Sequence, residues 1–303
     1  MNHLIDIEQL SLENIKEIFD KATGYLANPY SDILKNKKLI NLFFENSTRT
    51  RSSFEIAASN LGAKVVNIDV STSSLHKGES DKDTILTLNA MMADYITIRH
   101  SESGMVRKLS KHSNASIINS GDGLNEHPTQ ALLDCFTIFN VKKFKNISDF
   151  KGITVVICGD IINSRVARSN IRLLKKLGSK VRLVGPMTLL PKFMFLDYVD
   201  TYSDLDQAIS GVDVIYTLRI QRERMKNCSI PSGREYYKFY GVNHQRLNNA
   251  SSDCVVLHPG PMNRNIEISS ELADDEKKCK VLEQVRNGVV IRQAVLEFVS
   301  KLS

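Results

Sequence analysis

Leu39-Ile40-Asn41-Leu42-Phe43-Phe44, then Glu45-Asn46-Ser47-Thr48-Arg49-Thr50-Arg51, then Ser52-Ser53-Phe54-Glu55, is the stretch on which the fold turns. Six mainly apolar residues read as a buried strand. The next seven are polar, rich in hydroxyl and guanidinium groups, and a helical pattern begins after them. A strand that passes through a short polar turn into a helix is the opening of a βαβ unit. Backbone N–H groups at a helix N-terminus attract anions. Hydroxyls at 47, 48 and 50 add neutral donors, and Arg49 can engage phosphate oxygens bidentately. The turn therefore reads two ways: as a phosphate cradle built without glycine, or as a Ser/Thr-rich cap with solvated arginines.

The same alternation extends in both directions. Ser11 is placed to cap a first helix reaching about residue 26. Strands are expected at 39–44, 65–69, 95–99 and 116–119, with helices near 51–61, 81–92 and 102–111. Pro128 sits in the first turn of a long helix ending near residue 141, a favoured place for proline. A polar stretch, 142–151, precedes a second series with strands at 154–158, 180–184, 214–217 and 255–258. A last helix, about 282–302, carries Val285, Val289, Ile291, Val295, Leu296 and Val299 on one expected buried face. The fold class is α/β, with two doubly wound domains, each a mainly parallel sheet flanked by helices. Polar clusters follow the strands, where open α/β sheets bind ligands, so an active site is expected in the cleft between the domains.

Composition narrows the function. At 303 residues the chain exceeds a typical single domain. Its 42% hydrophobic and 24% charged content is that of an ordinary globular enzyme. No apolar run approaches the roughly 18–20 residues of a membrane span. Residues 1–20 are acidic and lack the apolar segment of a signal peptide, so a cytoplasmic protein without a membrane partner is expected. Cys135, Cys158, Cys228, Cys254 and Cys279 are scattered without a CxxC pair, and neither a metal site nor a redox motif is expected. The net charge of +6 is spread along a chain with 7% aromatics and no Trp. That is not the clustered pattern of a nucleic-acid binder, and small anionic substrates explain it as well.

Residues 43–55, Phe-Phe-Glu-Asn-Ser-Thr-Arg-Thr-Arg-Ser-Ser-Phe-Glu, resemble the carbamoyl-phosphate signature of the aspartate and ornithine carbamoyltransferases. The resemblance implies that Ser47, Thr48, Arg49 and Thr50 hold the phosphate, with Thr50 also near the carbamoyl oxygen. Arg99-His100 is similar to the position where a family arginine meets carbamoyl phosphate; alone, it would read as a strand-end arginine in solvent. Gly121-Asp122-Gly123-Leu124-Asn125-Glu126-His127-Pro128-Thr129-Gln130 resembles the family's His-Pro-x-Gln element. It implies that His127 hydrogen-bonds the carbonyl oxygen and Gln130 binds the carbamoyl nitrogen. His258-Pro259-Gly260-Pro261 resembles the turn whose carbonyls, here of Gly260 and Pro261, accept from the carbamoyl NH2. Without the resemblance it is a rigid turn. Arg49, Thr50, Arg99 and His127 are the implied catalytic residues.

The acceptor is implied by other segments. Thr72-Ser73-Ser74-Leu75-His76-Lys77-Gly78-Glu79-Ser80 resembles a loop of the aspartate-type enzymes in which a serine and a lysine enter a neighbouring subunit's site. Ser73 and Lys77 match those positions, which implies a homotrimer with shared sites; a separate regulatory chain stays open. Read alone, the loop is a polar surface segment with a solvated lysine. Gly159-Asp160, Asn163-Ser164-Arg165 and Thr217-Leu218-Arg219-Ile220-Gln221 resemble the segments that bind L-aspartate. Arg165 and Arg219 would each take a carboxylate, as the guanidinium fork suits, with Gln221 and Lys77 assisting and Glu45 and Arg224 orienting Arg165. The Ser-Met-Gly loop and His-Cys-Leu-Pro turn of ornithine-type enzymes are absent, so aspartate is the expected acceptor and ornithine the alternative. Residues 286–296 are similar to the aspartate-type last helix, which returns to the first domain. The expected domains are 1–141 plus about 286–303 for carbamoyl phosphate, and 142–285 for aspartate. The implied reaction yields N-carbamoyl-L-aspartate and phosphate, the committed step of pyrimidine synthesis, with no cofactor. Residues 232–241 do not match the family's closing loop. A dinucleotide-dependent oxidoreductase is disfavoured, since Cys158-Gly159-Asp160-Ile161-Ile162-Asn163 lacks G-x-G-x-x-G.

Overall fold

The computed structural model describes residues 3–69, 79–191, 198–220 and 232–301. Packing divides the chain into two compact units, one of Met1–Phe136 with Val285–Ser303, the other of Thr137–Gln284. Both crossings, after Phe136 and after Gln284, fall inside helices.

Unit 1 opens with α1, Leu12–Ala27, whose Ser11 and Asn14 form a reciprocal capping box worth about 1 kcal/mol. There follow β1 (Lys38–Phe43), α2 (Thr48–Asn60), β2 (Lys64–Asp69), α3 (Asp81–Ala90), β3 (Tyr95–His100), α4 (Met105–Ser110), β4 (Ser116–Asp122) and α5 (Pro128–Val141). The four strands form one sheet in the order β2-β1-β3-β4, every pair parallel. The N-terminal segment lies along the outer side of β4, where Leu4 N donates to Ile117 O at 2.9 Å and Asn119 N to Leu4 O at 2.8 Å. Strand alternation sorts the two faces. Ile40, Leu42, Ile96, Ile98 and Ile117 pack with Ile85, Leu88, Val106 and Leu109 of α3 and α4. The opposite parity carries Asn41, Thr97 and Arg99. There a polar chain runs from Thr97 through Asn41 and Asn67 to Glu55 of α2, with links of 2.5, 2.8 and 3.0 Å.

Unit 2 contains β5 (Thr154–Cys158), α6 (Arg165–Leu177), β6 (Lys180–Val184), β7 (Asp200–Tyr202), α7 (Leu205–Ala208), β8 (Val214–Thr217), α8 (Gly233–Tyr240), α9 (His244–Leu247), β9 (Val255–Leu257) and α10 (Ser270–Ala273). Its sheet, β7-β6-β5-β8-β9, is also entirely parallel. One face buries Val156, Cys158, Val184 and Ile215 against Leu205, Ala208, Leu247 and Leu272. The short β7 has no apolar run to announce it; pairing with β6 makes it a strand. Residues 233–240, which fit no expected loop, form a helix because Ser232 caps it, accepting from Glu235 N.

The last helix, α11 (Val281–Lys301), corrects one expectation. Val285 is 49% exposed and Leu282 75%, and Val289 is half-buried. The buried stripe runs through Asn287, Gly288, Ile291, Ala294, Val295, Phe298 and Val299. Small and polar residues belong to it, and an apolar-only pattern misses them.

Candidate active site

In both sheets the chain reverses its direction of travel next to the first strand, between β1 and β3 and between β5 and β8. Such switch points leave a crevice at the carboxyl ends of the strands. In unit 1 those ends carry the 44–51 turn and Arg99. Phe43 pairs with Arg99 in the sheet register, and Phe44 N donates to Arg99 O at 2.9 Å. The turn therefore lies beside the arginine. Ser47 stands at the N-cap of α2 with its hydroxyl making no capping bond, and the first turn of the helix holds no acidic residue. A helix end without its own anion is electrostatically suited to an external one. Thr50 is buried, Arg49 and Thr48 are exposed, and Ser47 is half-buried. The Arg99 guanidinium is aimed by two contacts: Nη1 donates to Ser120 O at 3.3 Å, and Nε pairs with Glu45 at 3.3 Å.

The loop that presents His127 and Gln130 is built on Asp122, which is 0% exposed. Its carboxylate accepts from Asn119 Nδ2 at 3.0 Å, Glu126 N at 3.0 Å and Gly104 N at 2.8 Å. Gly123 N donates to His100 O at 2.8 Å, and a Cβ at Gly123 would lie 2.4 Å from Ser103 N. Only glycine fits that approach. His127, 3% exposed, immediately precedes α5, and its carbonyl accepts from Gln130 N at 3.0 Å. The Gln130 side chain gives its NH2 to Asp134 at 2.9 Å.

In unit 2, Gly159 leaves β5 with φ +128°, and a Cβ there would press on Leu218 at 3.1 Å. The close approach lets Leu218 N donate to Cys158 O at 2.8 Å, so the exits of β5 and β8 lie side by side. From the first, Asp160 accepts from Asn163 Nδ2 at 2.9 Å, and Ser164 caps α6, in whose first turn Arg165 is buried. From the second comes Arg219, half-buried. Its neighbour Ile220 N donates at 2.8 Å to Glu267, which also accepts from Asn263 N at 2.8 Å and Asn263 Nδ2 at 2.7 Å. Burial raises the Glu267 pKa, and these hydrogen bonds only partly offset it. In the 258–261 turn, His258 Nδ1 accepts from Gly260 N at 2.8 Å, and the Gly260–Pro261 peptide is cis.

The structure thus brings Ser47, Thr48, Arg49, Thr50, Arg99, His127 and Gln130 to the strand ends of unit 1. It brings Arg165, Arg219, Gly260 and Pro261 to those of unit 2. Ser73, Lys77, Gln221 and Arg224 lie outside the described residues. Sequence reasoning missed Asp122, Asp134 and Glu267, the buried carboxylates behind the exposed elements. Asp134 left a signal: Gln130 and Asp134 are four apart on a helix, where such side chains meet. Among the described residues no cluster of His, Cys, Asp and Glu could hold a metal ion, and no helix is long and apolar enough to cross a membrane.

Two parallel sheets with hydroxyl, guanidinium and amide groups at their strand ends define a two-domain α/β protein. Residues 2–140 match the carbamoyl-P binding domain of the aspartate/ornithine carbamoyltransferases, and residues 151–299 match the Asp/Orn binding domain. The chain belongs to that family. It is 49% identical to the aspartate carbamoyltransferase catalytic subunit of Granulibacter bethesdensis, over 99% of this chain and 95% of that one. To the catalytic subunit from the Wolbachia of Drosophila simulans it is 50% identical, over 98% and 97%. Among solved structures it resembles Trypanosoma cruzi aspartate transcarbamoylase in complex with carbamoyl phosphate and aspartate, with a TM-score of 0.87 at 28% identity, covering 98% and 96%. Pyrococcus furiosus ornithine carbamoyltransferase shares the fold with a TM-score of 0.85 at 26% identity, covering 97% and 96%.

Proposed function

We infer that this chain transfers the carbamoyl group of carbamoyl phosphate to the amine of L-aspartate, giving N-carbamoyl-L-aspartate and phosphate. The observation that carries the reading is the α2 N-terminus: an uncapped helix end free of acidic residues, entered from a strand whose last residue, Phe43, pairs with Arg99. Ser47, Thr48, Arg49 and Thr50 bind the phosphate. Arg99, Thr50 and His127 donate to the carbonyl oxygen as negative charge develops on it. Gln130 and the carbonyls of Gly260 and Pro261 accept from the NH2. The aspartate nitrogen forms a bond to the carbonyl carbon, the carbon–oxygen bond to phosphate breaks, and the departing phosphate takes the amine proton. Orientation of the two reactants supplies much of the acceleration, and the scheme requires no covalent nucleophile.

Aspartate is the acceptor in this reading because the exits of β5 and β8 offer Arg165 and Arg219, two cations for two carboxylates. The relatives near 50% identity, all catalytic subunits of aspartate carbamoyltransferase, support the same choice. Gln221 and Lys77 complete the acceptor contacts, with Ser73 and Lys77 coming from a neighbouring subunit of a cytoplasmic homotrimer in pyrimidine synthesis. The test is a colorimetric carbamoyl-product assay with L-aspartate and L-ornithine in parallel. Carbamoyl-aspartate should form and citrulline should not; faster turnover of ornithine would overturn the assignment.

A further inference from the structure

Three helices of unit 1 meet at one buried cation. Arg292 on α11 is 3% exposed. Its Nη1 donates to Gly288 O, one turn back, at 2.8 Å. Its guanidinium carbon lies 5.1 Å from the centre of the Phe54 ring on α2. Burial pulls its pKa down to about 10, and the charge opposing that is the Asp134 carboxylate on α5. Gly288 admits the guanidinium: a Cβ there would stand 2.7 Å from Arg292 Nη1 and 3.4 Å from Leu133 Cδ2. Asp134 is 0% exposed, and its Oδ1 accepts from Gln130 Nε2 at 2.9 Å.

An ionised carboxylate only accepts hydrogen bonds. Opposite it, the Gln130 amide must turn its NH2 inward and its carbonyl oxygen away. The two ends of a glutamine amide are nearly the same shape, so the buried carboxylate decides which end faces outward. We propose that Asp134, backed by Arg292, is a positioning residue that makes Gln130 present an acceptor, and thereby selects an acyl phosphate bearing NH2 over one bearing methyl. The proposal rests on the reading of Gln130 as a carbamoyl phosphate ligand. Carbamoyl phosphate and acetyl phosphate share the phosphate, the bridging oxygen and the carbonyl, and differ only in NH2 against CH3. The phosphate cradle grips both alike. A group placed to hydrogen-bond a substrate N–H separates them, because the methyl analogue leaves it unpaired.

The test is Asp134→Asn, whose side chain can offer N–H groups and let the Gln130 amide turn over. The KM for carbamoyl phosphate should rise on the order of tenfold while the competitive Ki of acetyl phosphate stays within about twofold, so selectivity falls. Gln130→Met should lose the same selectivity, and the double variant should lose no more than either. If Gln130→Met retains full selectivity, the ligand reading of Gln130 fails. If Gln130→Met loses selectivity while Asp134→Asn retains it, the positioning role fails. Should Asp134→Asn not fold, the wild-type protein carries the test. In protein labelled with 15N-glutamine, the side-chain NH2 signal that vanishes in Gln130→Met should exchange slowly with solvent. Rapid exchange would overturn the proposal.

Discussion

Asp122 and Glu267 are buried carboxylates whose oxygens gather backbone N–H groups beside the proposed ligands. A hydrogen bond to a charged acceptor contributes about 1.5–3 kcal/mol, and burying the charge costs several kcal/mol. The two nearly cancel, so what these residues contribute is geometry: they hold the turns carrying His127 and Arg219. Arg49 is the opposite case. Its side chain is exposed, and its proposed work is done on the ligand. Arg49→Ala should lower kcat/KM for carbamoyl phosphate on the order of 100-fold, the loss of a bidentate charged contact. The melting temperature should hardly move. Near-normal kinetics would remove Arg49 from the phosphate cradle.

At the scale of elements, α1 and α11 are clamped by Glu297. It pairs with Lys21, accepts from Tyr25 Oη at 2.6 Å and lies 3.1 Å from Lys301. Burial raises the Glu297 pKa, but the hydrogen bonds from Lys21, Tyr25 and Lys301 outweigh it, and the net shift is downward. A carboxyl depressed in the folded state stabilises the protein above its unfolded pKa, about 4.3. That stability is lost as pH falls through the lower folded value. After solvent screening the effect is on the order of 1 kcal/mol or less. Thermal melts from neutral pH down to about pH 3 should therefore show a smaller acid-side loss for Glu297→Gln than for wild type. Parallel curves would show that the clamp is electrostatically idle.

At the scale of the whole molecule, the shared-site reading makes a prediction that no single subunit can satisfy. Lys77→Gln and Arg49→Ala should each be strongly impaired as homotrimers. Mixed and reassembled, every hybrid trimer should contain one site with Arg49 from one chain and Lys77 from its neighbour, because a closed ring repeats the same contact around its axis. Recovery of activity on mixing is expected. Persistent impairment, with hybrids verified by native mass spectrometry, would place Lys77 in its own subunit's chemistry.

Much of the architecture and the candidate site was legible in the sequence because it is written at short range. Strand, polar turn and helix succeed one another within residues 39–60, and pitch and alternation are decided by near neighbours. The proposed phosphate cradle lies within that span; its residue types left a helix cap equally open, and the family resemblance of residues 43–55 decided between them. β7 could not be read: Asp200-Thr201-Tyr202 is a strand only because β6 lies beside it. Nor could the buried stripe of α11, which takes in Asn287, Gly288 and Arg292 and leaves Val285 in solvent. A buried charge is tolerable only where distant residues supply its partners. The Phe54 ring lies against Arg292, and the Asp134 charge acts on it, both from far along the chain. The sequence by itself determined which groups could hold an anion; tertiary packing decided how Gln130 and Arg99 are aimed, since that aim depends on charges brought together only when the chain is folded.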